Sequence, residues 1–351
     1  MLESEARAGN MDPTPERLVL QPPGLPTNQT CQSIAANPVG AAVAGVRTQD
    51  FPCRPDNLAF RNMLSELGFA IAPNAFYPAR TTGIGGLAIT LEANYTRVFA
   101  DSHTSDGTPY WHLGTRGGQD QNTKQYSIVN TSPDSVLQIY ALKIRKGLPL
   151  GFEIGGSLGT ISSTSLWVGG GDLRWSLLEG FRTGPLALLP DMSLGGGVRT
   201  VSGTSRFYLT TVGIDVKLSK QVTLADSAQI IPSVGYQRLM IFGDSNVVDS
   251  TPNVDALREC GFAGNDPNTG TPRCQNKLPN GSDNNGDFGN TFTFQRVRIH
   301  RHRAMLGLNY RYEIIYLGGQ FAFDITDPKD ENPGIVGNRQ WTLSFEGGVF
   351  F

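Results

Sequence analysis

Long apolar runs are missing from this chain of 351 residues. None approaches the roughly 18 consecutive apolar residues that a membrane-spanning helix requires. Charge is also scarce: Lys, Arg, Asp and Glu make up 17% of the chain, against about 25% in soluble domains. The 29 basic residues nearly cancel the 31 acidic ones, leaving a net charge of −2. A chain so balanced casts no field that would gather nucleic acid, which is excluded as a partner. Cysteine and histidine occur four times each. No CxxC or nearby His completes a metal-ligand set, and no HExxH, P-loop or nucleophile elbow occurs. No cofactor is expected. The start shows no basic stretch leading into an apolar core, which fits either a processed chain or a protein that stays inside the cell. What abounds is glycine, 42 residues, beside 22 prolines and 9% aromatics. Collagen would space its glycines regularly, and a disordered chain would carry more charge and fewer aromatics. A Gly-rich all-β protein remains.

From Gly83 onward, apolar and polar residues alternate. Leu87, Ile89, Leu91, Ala93 and Tyr95 share one face of an extended segment, and Thr90, Glu92, Asn94 and Thr96 the other. A period of two marks a half-buried strand. Its recurrence predicts ten strands, at 84–99, 136–146, 150–160, 166–178, 191–201, 206–218, 228–242, 292–312, 314–325 and 340–351. Asp101 to Ser135 and Gly243 to Thr291 are long connections and Thr326 to Arg339 is turn-rich, whereas Gly147-Leu148-Pro149 and Glu313 are tight. Long loops at one end and tight turns at the other suit a transmembrane barrel. A large soluble β-sandwich is the competing architecture.

The C-terminal segment Trp341-Thr-Leu343-Ser-Phe345-Glu-Gly-Gly-Val349-Phe-Phe351 resembles the closing strand of Gram-negative bacterial outer-membrane β-barrel proteins. The resemblance covers about Gly83 to Phe351. It implies an antiparallel transmembrane β-barrel of about ten strands in the bacterial outer membrane, with both termini periplasmic and extracellular loops at 101–135 and 243–291. It also implies that Trp341, Leu343, Phe345, Val349 and Phe351 form the signal read by the barrel-assembly machinery. Outer-membrane lipid and lipopolysaccharide are then the surrounding partners. The physics agrees, since only a closed barrel pairs every strand in lipid. Tyr95, Trp175, Tyr208, Tyr236, Tyr310, Tyr312 and Trp341 fall toward strand ends, as interfacial girdles do. The opposite face carries Glu92, Lys143, Glu153, Asp172, Arg174, Arg199, Asp215, Lys217, Arg303, Arg311 and Glu346. These are lumen or selectivity candidates: paired charges that close a narrow bore, or the constriction of a pore.

Residues 1–30 read as a flexible arm and 31–82 as a small periplasmic extension or plug. Within the latter, Asp56-Asn57 followed by Leu58, Phe60, Met63, Leu64 and Leu67 predicts a short helix ended by Gly68, whose apolar stripe something must cover. Cys31 with Cys53 and Cys260 with Cys274 are close enough in sequence to form two disulfides in an oxidising compartment. A loop of about 15 residues would gain roughly 3 kcal/mol from such a bond.

Arg296, Arg298 and Arg301 belong to the densest basic run and are candidates for lipopolysaccharide phosphates. Alternation breaks there, because Val297 and Ile299 oppose Ala304, Leu306 and Leu308; a bulge near His300 to Arg303 is expected. A solvated strand end is the plainer alternative. Asp283, Asn285 and Asp287 could wrap Ca²⁺, and Asp266, Asn268 and Gly270 repeat the pattern. Phe288 stands where an EF-hand needs Gly, however, and turn composition explains both stretches as well. His103 near Asp101 and Asp106 could activate water, but no outer-membrane protease motif is found and no enzyme is expected. The expected function is a structural anchor or receptor engaging envelope or extracellular partners through its loops and N-terminal extension. A narrow channel for small solutes is the alternative, and a surface hydrolase comes third.

Overall fold

The computed structural model describes residues 10–20, 54–74, 77–100, 110–118, 130–180, 189–225, 228–249, 262–270, 272–275 and 291–351. Ten strands build the barrel wall: β1 (Leu87–Arg97), β2 (Val136–Gly147), β3 (Phe152–Ile161), β4 (Trp167–Leu178), β5 (Asp191–Ser202), β6 (Phe207–Ser219), β7 (Ala228–Ser245), β8 (Val297–Tyr312), β9 (Ile315–Asp324) and β10 (Trp341–Phe350). Each pairs antiparallel with its neighbour. Thr342 to Phe350 pair with Ala88 to Thr96, joining β10 to β1 and closing the barrel. A short additional strand, Val222–Ala225, pairs with the start of β7. All ten expected strands are present. The eighth begins at Val297 rather than 292.

Alternation has the cause inferred from the sequence. Outward side chains such as Leu91, Leu158, Leu173, Ile214, Leu306 and Leu317 are exposed, forming an apolar belt, while their neighbours in the chain turn inward. Aromatics mark both margins of the belt. Phe152 stacks on Trp175 at 5.6 Å near the tight-turn end, and Tyr95 meets Tyr140 and Phe345 edge-on at 6.5 and 6.3 Å toward the other.

The two mouths differ, though less simply than loop length suggested. Tight reversals at the turn mouth use left-handed residues, Leu150 (φ 61°) between β2 and β3 and Glu313 (φ 50°) between β8 and β9. The loop mouth carries the long connections after β1, β7 and β9, but also tight ones at 162–166 and 203–206, and the turn mouth carries the longer 179–190.

Helix α1 (Asn57–Ala70) starts as the sequence indicates: the Asp56 carboxylate accepts from the Ala59 N–H at 2.9 Å. It does not stop at Gly68. That residue lies inside the helix, where a Cβ would come within 2.4 Å of the Ile241 side chain, so its smallness lets helix and wall approach.

Residues 10–20, expected to belong to a flexible arm, are packed across the loop mouth. The Met11 N–H donates to the Ser163 carbonyl at 3.0 Å and Thr14 N–H to the Gly114 carbonyl at 2.8 Å. Asp12 accepts from the Ser165 N–H at 2.6 Å, and Arg206 pairs with Glu16 at 3.2 Å. Gly114 ends α2 (Tyr110–Gly114), within the first long connection. Phe351 sits at the turn mouth, bonded to Leu87. Residues 10–20 and the C-terminal Phe351 therefore lie at opposite mouths of the barrel.

Candidate functional site

The lumen is the candidate site, and the chain's own N-terminal segment occupies it. The segment enters at the loop mouth as α1, continues as irregular chain through residues 71–74 and 77–86, and joins β1 at the turn mouth. Two tiers of wall receive it.

The loop-side tier is apolar. Phe60, Met63, Leu64 and Leu67 of α1 are fully or almost fully buried against Leu137, Ile139, Ile161, Val168, Leu209, Ile241, Val297 and Ile299, all pointing inward. Phe60 stacks on Phe294 at 4.2 Å. This explains the broken alternation. Val297 and Ile299 face the helix, not lipid, and the pairing of β8 with β7 runs without a shift from Val297–Gly243 to Tyr312–Ala228. No bulge occurs there.

Arg301 consequently points inward. It is buried, binds both Asp324 oxygens (Nε at 3.2 Å), and reaches the Ser65 carbonyl of α1 at 3.2 Å. It is inaccessible to lipopolysaccharide. Arg296 and Arg298 do lie outside, Arg296 paired with Asp244 at 2.9 Å and Arg298 over the Phe242 ring.

Glu66 holds α1 to the first long connection. Its carboxylate accepts from the Phe99 N–H at 2.7 Å, the Trp111 indole at 3.2 Å and the Tyr110 hydroxyl. Burial pushes this carboxyl up; the Tyr110, Phe99 and Trp111 donors and nearby Arg301 oppose the rise without cancelling it. The seated helix then holds its proton more firmly than a released one. Seating is favoured below the ordinary carboxylate range and weakens as pH rises through the raised value. Acrylamide quenching of Trp111, with the other three tryptophans replaced by Phe, is expected to be stronger near pH ~8 than near pH ~4. Glu66→Gln is expected to abolish the difference; a persistent difference assigns it to another group.

The turn-side tier is ionic. An irregular segment forms no helix or strand ladder of its own, so its backbone groups must find partners in the wall. Arg303 and Gln237 both donate to the Pro73 carbonyl, at 2.5 and 3.0 Å. Lys143 donates to the Asn74 carbonyl at 3.2 Å. Arg174 donates to the carbonyls of Pro78 and Arg80, the latter at 2.9 Å. The Asn74 amide donates to Glu92 at 3.0 Å and Asn94 at 2.7 Å. The Tyr77 ring lies under Lys143, Arg145 and Arg174 at 4.2 to 4.8 Å.

Around the segment, wall charges pair with one another. Arg174 meets Glu153 at 2.8 Å, Arg145 meets Glu346 at 3.3 Å, and Arg199 meets Asp172 at 2.8 Å. Of the expected lumen residues, Glu92, Glu153, Asp172, Arg174, Arg199, Asp215, Lys217, Arg303 and Glu346 come together inside. Arg311 instead lies exposed at the turn mouth, over the Phe350 ring at 5.1 Å.

The plug's own polar contacts, Glu66, Asn74 and Tyr77, were missed from sequence. The available signal was the apolar inward face at the loop-side strand ends, which only an apolar occupant would match. Also unforeseen is the outer-face contact of His302 with Tyr236 and, at 2.9 Å, with Glu331; with the Asn332 amide donating to the His300 carbonyl at 2.7 Å, it straps the 325–340 connection to β8. Cys31, Cys53 and Cys260, the Cys274 side chain, Asp283, Asn285, Asp287, Asp101, His103 and Asp106 all lie outside the described residues. Among the described residues no His, Cys, Asp or Glu cluster could hold a metal ion.

No protein-family profile matches the chain, and no curated protein resembles it significantly. Solved structures do resemble it weakly. The attachment invasion locus protein Ail of Yersinia pestis shares 10% identity over 76% of this chain and 99% of its own, with a TM-score of 0.26. The outer-membrane protease OmpT of Escherichia coli shares 9% over 80% and 99%, at 0.30. An outer-membrane channel from Pseudomonas putida F1 shares 12% over 80% and 99%, at 0.28. Scores this low add nothing to the functional reading, and the barrel rests on its own strand ladder. By that ladder and its apolar belt, the chain is a closed ten-stranded antiparallel barrel of the outer-membrane type.

Proposed function

We propose that the protein is a sealed outer-membrane barrel, an anchor or receptor that meets its partners at the loop mouth, and not an open pore. The observation that carries this is the occupied lumen: an apolar helix above and a hydrogen-bonded irregular stretch of chain below lie against the inner surface of the described wall. The loop mouth is capped by residues 10–20 with α2 and the 162–166 and 203–206 turns, a composite surface suited to protein or saccharide partners outside the cell. In this orientation the C-terminal Phe351 faces the periplasm, and Trp341, Leu343, Phe345, Val349 and Phe351 serve the assembly machinery. Arg296 and Arg298, joined by exposed Arg238 on β7, face the headgroup zone above the apolar belt and meet lipopolysaccharide phosphates. Reconstituted in a planar bilayer, the full chain is expected to carry no steady current while its folded band still shifts on boiling. Discrete openings of the unmodified chain would replace the anchor by the channel. That second reading has its own support in the ionic tier, which would be wet if the segment left.

A further inference from the structure

The turn mouth holds a second feature, independent of whether the barrel conducts. Where the N-terminal segment leaves the lumen, a cavity of about 320 Å³ opens between it and the wall. Three guanidinium groups from three separate elements line it: Arg80 of the segment, Arg145 of β2 and Arg311 of β8. One carboxylate, Glu179, shares the lining, and Glu153 and Glu346 stand behind Arg145 at 3.8 and 3.3 Å. The cations are not exhausted by these acids. Among the described residues, Arg311 meets the Glu313 carbonyl at 3.2 Å and the Phe350 ring, and no carboxylate. Arg145 is buried, yet its Nε–H meets no acceptor among them. Arg80 holds Gln221 at 2.6 Å and is 3.9 Å from Glu179. Thr81, Thr82, Gln221 and Gln229 supply further polar groups around the same space.

We infer that this cavity is a binding site for a small polycarboxylate. Planar guanidinium forks match carboxylates in pairs of parallel hydrogen bonds. Cations placed on different walls favour an anion with more than one charge over a single one. The volume lies at the lower end for ligand pockets, and the threonine and glutamine lining suits a hydroxylated acid better than an apolar stem. One wall of the cavity is the exit of the lumen segment, so an occupied site also ties Arg80 to the barrel.

Citrate is the probe. Titrated at constant ionic strength into the refolded full chain in detergent, it is expected to bind saturably, one per chain, with acetate weaker by roughly tenfold or more. Arg311 is exposed, so Arg311→Gln leaves the fold intact, as the boiling shift will verify, and is expected to weaken citrate by roughly tenfold or more. Arg80→Gln should do the same. Absence of saturable citrate binding, acetate binding as tight as citrate, or citrate affinity unchanged in both variants would each overturn the assignment.

Discussion

A Phe60→Asp/Leu64→Asp double variant is expected to turn a silent barrel into a conducting one that prefers anions. Both side chains are wholly buried between α1 and the wall, and the space is tight enough that a Cβ at Gly243 would lie 2.4 Å from Leu64. A carboxylate placed there without a partner costs several kcal/mol, and two of them exceed what the helix gains by seating. The barrel itself survives, because its ladder runs strand to strand from β1 to β10 without using α1. Once the segment withdraws, Arg303, Lys143 and Arg174 lose the carbonyls of Pro73, Asn74, Pro78 and Arg80, and their charge faces the water that replaces it. Planar-bilayer recording should show discrete openings with a reversal potential on the chloride side in a KCl gradient. Phe60→Leu should remain silent. A double variant that keeps its boiling shift and stays closed would show that α1 is not the seal.

Asp324→Ala is expected to be the most destabilising single change, by about 3–5 kcal/mol, the range for breaking a buried ion pair on one side. Asp324 and Arg301 are nearly inaccessible, and the same aspartate accepts the Gln340 N–H at 2.7 Å at the start of β10. Removing it leaves a guanidinium buried beneath α1 without the carboxylate it is paired to. The paired replacement Arg301→Met/Asp324→Leu should recover much of the loss, since an apolar pair of similar volume avoids the desolvation of two ions. Denaturant unfolding in detergent measures both. A loss under about 1 kcal/mol for Asp324→Ala would mean that water reaches the site.

Sequence alone determined the barrel. Lipid outside and a filled lumen inside impose a two-residue period on every strand, and that period is local, so Leu87 to Tyr95 or Trp341 to Val349 declare their faces without reference to the rest of the chain. It likewise placed the inward charges from Glu92 to Glu346 and the capped start of α1 at Asp56. Only the tertiary structure decided what those charges touch. Residues 71–74 and 77–82 carry no period, because backbone carbonyls among them bond to Arg303, Lys143 and Arg174, far off in sequence. Val297, Ile299 and Arg301 read as a disturbed strand for the same reason: an apolar or paired inward face makes sense only once α1 lies against it. The faces of a strand are local properties, whereas the occupant of a lumen is set by contacts across the whole chain, and no pattern within a segment records it.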